Sequence, residues 1–169
     1  MYQSLNISKY LLSKVNIERF EEIGDGISNL KMQKLLFYIQ KTYFSVFKKA
    51  FFHEDIEAWR YGPVTPVIYH RFKKYNSNNI DIIEESEFIK SKEPLNFDDL
   101  LVIDFVWDKY AKYSAGTLVD MTHSDKAWIE NYIPDVNNTI PLKHLRDDNL
   151  KSEFLKYKSS LENIAKITI

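Results

Sequence analysis

The sequence of 169 residues contains no cysteine and few glycines. Without cysteine there is no disulfide, no thiolate nucleophile and no cysteine-ligated zinc or iron–sulfur cluster. The four glycines, Gly24, Gly26, Gly62 and Gly116, have neither the spacing of a phosphate-binding P-loop nor that of a dinucleotide fingerprint. So few glycines also leave few left-handed turn positions, which disfavours an all-β fold rich in hairpins.

An excess of charge and a long apolar run are also lacking. The 23 Lys and Arg residues nearly balance 24 Asp and Glu residues, so the net charge of −1 gives no general attraction to nucleic acid or acidic lipid. No apolar run reaches the ~18 residues of a membrane span, and no secretory signal is visible at the N-terminus. We therefore expect a cytoplasmic protein that binds neither nucleic acid nor membrane.

Aromatic residues are abundant, with 11 Tyr, 11 Phe and 3 Trp. Apolar residues recur at helical spacing and predict helices over residues 6–23, 30–49, 67–75, 97–113, 114–123 and 150–164. The run Gly24-Asp25-Gly26 is predicted to end the first helix. Short strands are predicted over residues 56–61, ended by Gly62-Pro63, and over 80–83. The fold class is mainly α (α+β), a single compact helical domain with a small two- or three-stranded sheet.

The helix over residues 30–49 has a broad apolar face, which predicts a place in the core. Four lysines form the opposite stripe and are predicted to make a solvent-exposed edge: Lys31, Lys34, Lys41 and Lys48. Gln33 and Gln40 lie two turns apart on one face. They either hydrogen-bond buried backbone or face solvent.

The segment over residues 57–69 combines aromatic residues with two prolines. Trp59 and Tyr61 share a face if the chain is extended, and Pro63 and Pro66 restrict the backbone. This pattern favours two readings equally. One is a rigid corner clamped over the core, and the other is a preorganised aromatic surface for a partner.

The segment over residues 114–128 contains the histidine most suited to a functional role. His123 lies near a predicted helix C-terminus, with Asp120 and Asp125 close enough in sequence to orient it. A general base also needs a nucleophile beside it, and Thr122 is a poor candidate. A structural or binding role is favoured over catalysis by a small enzyme.

A metal site is the weakest of the hypotheses. His53 lies near three carboxylates, Glu54, Asp55 and Glu57, which are suitable ligand types. No second histidine is near, and the spacing is generic. We therefore predict no metal site and no catalytic residues.

Charge is segregated along the chain although its total is balanced. Residues 31–74 contain nine basic and three acidic side chains, whereas residues 81–108 contain two basic and nine acidic ones. Either these are ordinary solvated faces, or they form a dipolar surface that orients a partner.

Three segments, residues 30–40, 57–69 and 114–128, together resemble the Panacea domain of the SocA-like antitoxin family, which is also described as phage-associated. The matched residues are Leu30, Met32, Gln33, Lys34, Leu35, Leu36, Phe37, Glu57, Ala58, Trp59, Gly62, Pro63, Val64, Pro66, Tyr69, Thr122, His123 and Trp128. Met32, Phe37 and Ala127 depart from the usual Leu, Tyr and Pro of the family.

The resemblance implies an antitoxin-like protein without cofactor or enzymatic activity. Such a protein binds a cognate protein toxin directly, and it is mostly helical with a small sheet. Residues 1–134 would form the Panacea domain, and residues 135–169 a helical extension packed on it. An adaptor that delivers a toxin to a bacterial AAA+ protease, and a phage accessory protein that binds a host factor, stay open as alternatives. The expected partner-binding residues are Trp59, Tyr61, Gly62, Pro63, Tyr69, Thr122, His123 and Trp128.

Overall fold

A computed structural model describes residues 1–20 and 26–167 of the chain. The helices are α1 (Ser4–Phe20), α2 (Asn29–Phe47), α3 (Pro66–Phe72), α4 (Ser86–Lys90), α5 (Phe97–Tyr110), α6 (Ala115–His123), α7 (Lys126–Ile129) and α8 (Asp148–Ile167). The strands are β1 (Glu57–Trp59), β2 (Gly62–Val64) and β3 (Asn138–Thr139), and short 3-10 helices cover Lys73–Tyr75 and Leu142–Leu145. The predicted fold class, mainly α with a small sheet, is confirmed.

The helices closely follow the periodicity of the sequence. α1 corresponds to the helix predicted over residues 6–23, of which residues 21–23 lie outside the described residues, as do Gly24 and Asp25, predicted to end it. Ser114 caps α6 by accepting a hydrogen bond from the Thr117 N–H at 3.1 Å. Pro66 occupies the first turn of α3, where a missing N–H costs nothing.

Helix α2 lies at the centre of the fold. Its N-terminus is capped by the Ser28 hydroxyl, which accepts from the Lys31 N–H at 3.2 Å. Helices α1, α3, α5, α6 and α8 and strand β2 all pack against it. The predicted lysine edge is therefore wrong for three of its four members: Lys31, Lys34 and Lys41 are buried, and only Lys48 is exposed. Neighbouring elements cover that stripe, because helices and strand β2 pack around most of α2.

The sheet has the order β2-β1-β3, and both pairings are antiparallel. The predicted strand end at Gly62-Pro63 is wrong. The chain turns at Arg60 and Tyr61, and Gly62 and Pro63 are the first two residues of β2. Trp59 pairs with Gly62 in a one-to-one register, and Gly62 follows the two-residue turn with a left-handed φ of 92°. Pro63 is tolerated because β2 is an edge strand. Trp59 and Tyr61 consequently do not alternate along one strand.

The strand predicted over residues 80–83 is also wrong. The Asp81 carboxylate accepts hydrogen bonds from the N–H groups of Ile83 and Glu84, at 2.9 and 3.1 Å, and this turns the chain. The Ile80 N–H donates to the Ile27 carbonyl at 2.8 Å, so the segment is attached beside the start of α2 without forming a ladder.

The C-terminal part of the chain is integrated into the same body. Strand β3 pairs with β1, and α8 packs on α2 and α5. Phe154 of α8 is buried with its ring 5.5 Å from that of Phe105, and the two rings meet edge to face. Within the range 135–169, treated in sequence as an extension, the described residues thus supply a strand and a core-facing helix.

Candidate functional site

Two glutamine side chains of α2 bind backbone on either side of the hairpin formed by β1 and β2. Gln33 Oε1 accepts a hydrogen bond from the Thr65 N–H at 2.9 Å, directly after β2. Gln40 Oε1 accepts from the N–H groups of Phe51 and Phe52, at 2.8 and 3.2 Å, and its amide donates to the Phe52 carbonyl at 3.1 Å. The open choice for these glutamines is resolved: both are buried and both bind backbone, as buried polar groups must.

A lysine without a counter-ion lies beneath the hairpin. The Lys34 side chain has no exposed surface, and its ammonium donates to the Pro63 carbonyl at 3.0 Å. No carboxylate pairs with it within residues 1–20 and 26–167. Burial without a neighbouring charge lowers the pKa of Lys34 to about 7.

Gly62 is in close contact with Lys34 and helix α6. A Cβ at this position would lie 2.5 Å from Thr122 Oγ1 and 2.7 Å from Lys34 Nζ. Thr122 is buried, and its hydroxyl donates to the Val119 carbonyl at 2.9 Å. Gly62 therefore meets two demands, a left-handed backbone and a close approach between β2 and α6.

A stack of three rings attaches the hairpin turn to α6 and α7. The centroids of His123 and Trp128 are 4.3 Å apart, and those of Trp128 and Tyr132 are 4.5 Å apart. Trp128 Nε1 donates to the Trp59 carbonyl at 2.9 Å, and His123 Nε2 lies 3.0 Å from the Arg60 carbonyl. Because a carbonyl only accepts, Nε2 is the nitrogen that carries the proton. His123 therefore positions the turn through its Nε2–H.

Beside the turn lies an open cavity of about 300 Å³, which we call the hairpin cavity. Its apolar lining comes from Leu30, Trp59, Tyr61, Val64 and Tyr69. The Trp59 and Tyr69 rings meet edge to face at 5.0 Å, and Tyr61 is 60% exposed at the tip of the turn. The molecule thus presents aromatic surface next to a braced hairpin.

A group of charged side chains lies where α2, the start of α7 and the start of α8 meet. Lys41 is 6% exposed and forms ion pairs with Asp125 and with Asp147, the latter at 3.0 Å. Burial works to raise the pKa of Asp147, but hydrogen bonding from the Leu150 N–H and the charge of Lys41 outweigh it and lower that pKa. Asp125 also caps α7 by accepting from the Ala127 N–H at 2.9 Å. This ionic centre joins α2, α7 and the start of α8.

The eight residues expected from sequence to bind a partner lie around the hairpin and its supports, but they differ in exposure. Tyr61 is exposed; Trp59, Tyr69, His123 and Trp128 are half-buried; Gly62, Pro63 and Thr122 are buried. The buried three offer no side-chain surface to a partner, and their contacts are with Lys34 and α6.

Sequence reasoning missed the roles of Lys34 and Lys41 and placed both in solvent. A signal for the burial of Lys34 was present, because Lys34 lies within a family motif whose other members in α2 are apolar or amide residues. Leu30 and Val64 were also not assigned to the site. Their place in the cavity depends on the hairpin turn at residues 60–61, which periodicity did not reveal.

The remaining hypotheses concern metals and membranes. Among the residues that the structure describes, no group of three or more His, Asp or Glu side chains could hold a metal ion. Glu54, one of the carboxylates considered beside His53, instead accepts a hydrogen bond from the Ser4 N–H at 2.9 Å. In the same described residues, no helix combines the length and apolar character needed to cross a membrane.

The comparison with protein families confirms the resemblance. A family model described as "Antitoxin SocA-like, Panacea domain" matches residues 32–129, which is more than half of the chain. The matched range contains most of the central helix, the hairpin, two of the three stacked rings (His123 and Trp128) and Asp125. Neither the curated proteins nor the solved structures include a significant match.

Proposed function

The chain belongs to the SocA-like antitoxin family with a Panacea domain, and on that premise we propose that it neutralises a cognate protein toxin by direct binding. The observation that carries this proposal is the aromatic surface at the hairpin. Tyr61 is exposed there, and Trp59 and Tyr69 are accessible beside it. Tyrosine and tryptophan are the residue types that most often anchor protein interfaces.

The bracing of the hairpin supports this role. Gln33, Lys34, His123 and Trp128 each hydrogen-bond its backbone or the residue that follows it. A surface that is already ordered loses little conformational freedom on binding, so more of the contact energy remains as affinity. In this proposal Gly62, Pro63 and Thr122 act indirectly, by holding the aromatic residues in place.

The proposal assigns no chemical step to this chain. The Nε2–H of His123 is committed to the Arg60 carbonyl, and the ring is stacked on Trp128. Neutralisation would follow from covering the active site or substrate surface of the toxin.

Co-expression tests the proposal. The protein encoded beside this chain is expressed alone, with the wild-type chain, with Tyr61→Ala and with Phe97→Ala. Phe97→Ala is a control because Phe97 is 72% exposed at the start of α5 and does not line the hairpin cavity. We expect the wild type and Phe97→Ala to restore growth and Tyr61→Ala to restore it less, with all three chains present at equal amounts.

The amount of toxin in the same cells separates two mechanisms. A steady amount of toxin during rescue is the result expected for direct masking. If the toxin disappears only when this chain and a AAA+ protease are both present, the result favours the adaptor mechanism over direct masking. Failure of the wild-type chain to rescue growth would contradict the proposed function.

A further inference from the structure

The floor of the hairpin cavity has little hydrogen-bonding capacity left for a ligand. Asn29 Nδ2 donates to the Tyr69 carbonyl at 2.9 Å, and Asn29 Oδ1 accepts from Gln33 Nε2 at 2.8 Å. Gln33 Oε1 is occupied by the Thr65 N–H. Because these amides already satisfy one another, the floor favours an apolar occupant over a polar one.

The rim of the cavity is positively charged. Arg60 and Lys73 line it and both are exposed, whereas its described lining contains no carboxylate. Glu57, the acidic residue of the hairpin, is not part of this lining, and its carboxylate accepts a hydrogen bond from Trp59 Nε1 at 2.6 Å. A group that enters the cavity therefore passes two cations, and this arrangement selects for negative charge beside the apolar anchor.

We propose that the hairpin cavity binds one large apolar side chain, such as Phe or Leu, from an acidic segment of a partner protein. The inference deepens the proposed function and rests on it, since the segment would belong to the toxin. The volume of about 300 Å³ lies at the lower end for ligand pockets and accommodates one such side chain. Trp59 and Tyr69 would contact the anchor, and Arg60 and Lys73 would pair with flanking carboxylates.

A single-stranded nucleic acid is the other class of macromolecule that combines negative charge with flat apolar groups. It fits less well, because nucleic-acid grooves draw most of their affinity from many phosphate contacts. The cavity rim offers two cations, and the whole chain has a net charge of −1.

The test uses the full chain labelled with ¹⁵N and four probes. Three are acetylated seven-residue peptides: EDEFEDE, the same peptide with a central Ala, and KKKFKKK. The fourth is a ten-nucleotide thymidine strand. Binding is followed through the Trp59 indole N–H and the backbone amides of residues 60–62.

We expect EDEFEDE to shift these signals and the central-Ala peptide to bind at least about tenfold more weakly, with no shift from KKKFKKK or the thymidine strand. Arg60→Glu/Lys73→Glu should weaken EDEFEDE binding at least about tenfold. Lys112→Glu/Lys143→Glu, a matched double reversal of exposed lysines away from the cavity, should leave it unchanged.

Three results would overturn the inference: no shift from EDEFEDE, equal binding of the central-Ala peptide, or stronger binding of the thymidine strand at the same signals. The peptide measurement needs no toxin. Growth rescue without EDEFEDE binding would therefore remove only this inference, whereas peptide binding without rescue would remove the proposed function of toxin neutralisation.

Discussion

Glycine is required at position 62 for two reasons: the backbone of the hairpin is left-handed there, and α6 packs too closely to leave room for a side chain. We predict that Gly62→Ala lowers the free energy of unfolding by about 3 kcal/mol, because a side chain there is strained at φ 92° and collides with Thr122 and Lys34. Urea denaturation measures the change.

Gly116→Ala is the matched control for that substitution. Gly116 lies in α6 with its nearest outside atom at 3.8 Å from a built Cβ, so the methyl group has room. We expect this variant to be stabilised by about 0.5–1 kcal/mol through helix propensity. Equal effects of the two substitutions would show that the close approach at Gly62 is not required.

Lys34 gives the protein a specific pH dependence. Burial lowers its pKa to about 7 in the folded protein, whereas the unfolded chain keeps the ordinary value of 10.5. Between these two values the unfolded chain holds a proton that the folded protein has lost, so the contribution of Lys34 to stability rises with pH and is least favourable below pH 7.

Lys34→Met should therefore abolish part of this rise. Between pH 7.5 and 9 the unfolding free energy of the wild type should increase relative to that of Lys34→Met by up to about 1.4 kcal/mol per pH unit. Urea titrations of both proteins at several pH values measure the difference. Parallel pH profiles would mean that Lys34 stays charged in the folded protein.

At the scale of elements, the ionic centre around Lys41 joins α2 to α7 and α8. We predict that Lys41→Met lowers the free energy of unfolding by about 3–5 kcal/mol, because it leaves Asp125 and Asp147 close together without their cation. Thermal or urea denaturation measures the loss.

Lys14→Met provides a comparison on the surface. Lys14 pairs with Asp104 of α5, and both side chains are partly exposed. This variant should lose less than about 1 kcal/mol. A similar small loss in Lys41→Met would indicate that the buried centre does not hold the three helices together.

The junction between the hairpin and α7 is a second link between elements. Trp128→Phe removes the N–H that donates to the Trp59 carbonyl but keeps a ring in the stack. We predict faster amide hydrogen exchange in residues 57–64 and a stability loss of about 1–2 kcal/mol. Mass spectrometry of exchange locates the effect.

Trp59→Phe is the control with the same change of side chain. The Trp59 Nε1–H donates to Glu57 within β1 and does not connect the hairpin to α7. Exchange in the hairpin should be less affected by this variant. If Trp59→Phe opens the hairpin as much as Trp128→Phe does, the hydrogen bond across elements is not the link.

The elements show where sequence reasoning succeeds and where it stops. Helical periodicity located α2, α5 and α8 because each has a continuous apolar face. The error at residues 80–83 arose because the Asp81 side chain forms a local turn that an apolar pattern does not reveal. The hairpin was not predicted because its turn depends on a positive φ at Gly62. In the sequence, Gly62 followed by Pro63 is equally typical of the end of a strand.

At the scale of the whole molecule, the three family motifs together build and support the hairpin. The segments around residues 30–40, 57–69 and 114–128 converge on the hairpin, where motif residues from α2, α6 and α7 hydrogen-bond or contact it. The sequence identified these segments and the family. It could not tell bracing residues such as Thr122 from exposed ones such as Tyr61, because burial depends on which elements pack together.

The direct contact between this surface and the toxin is the central claim, and calorimetric titration of the purified toxin encoded beside this chain tests it. We predict saturable binding by the wild type and by Phe97→Ala, and binding at least about tenfold weaker by a folded Tyr61→Ala protein, because Tyr61 is the exposed aromatic residue at the turn. No heat of binding with the wild type, or undiminished affinity in Tyr61→Ala, would contradict it.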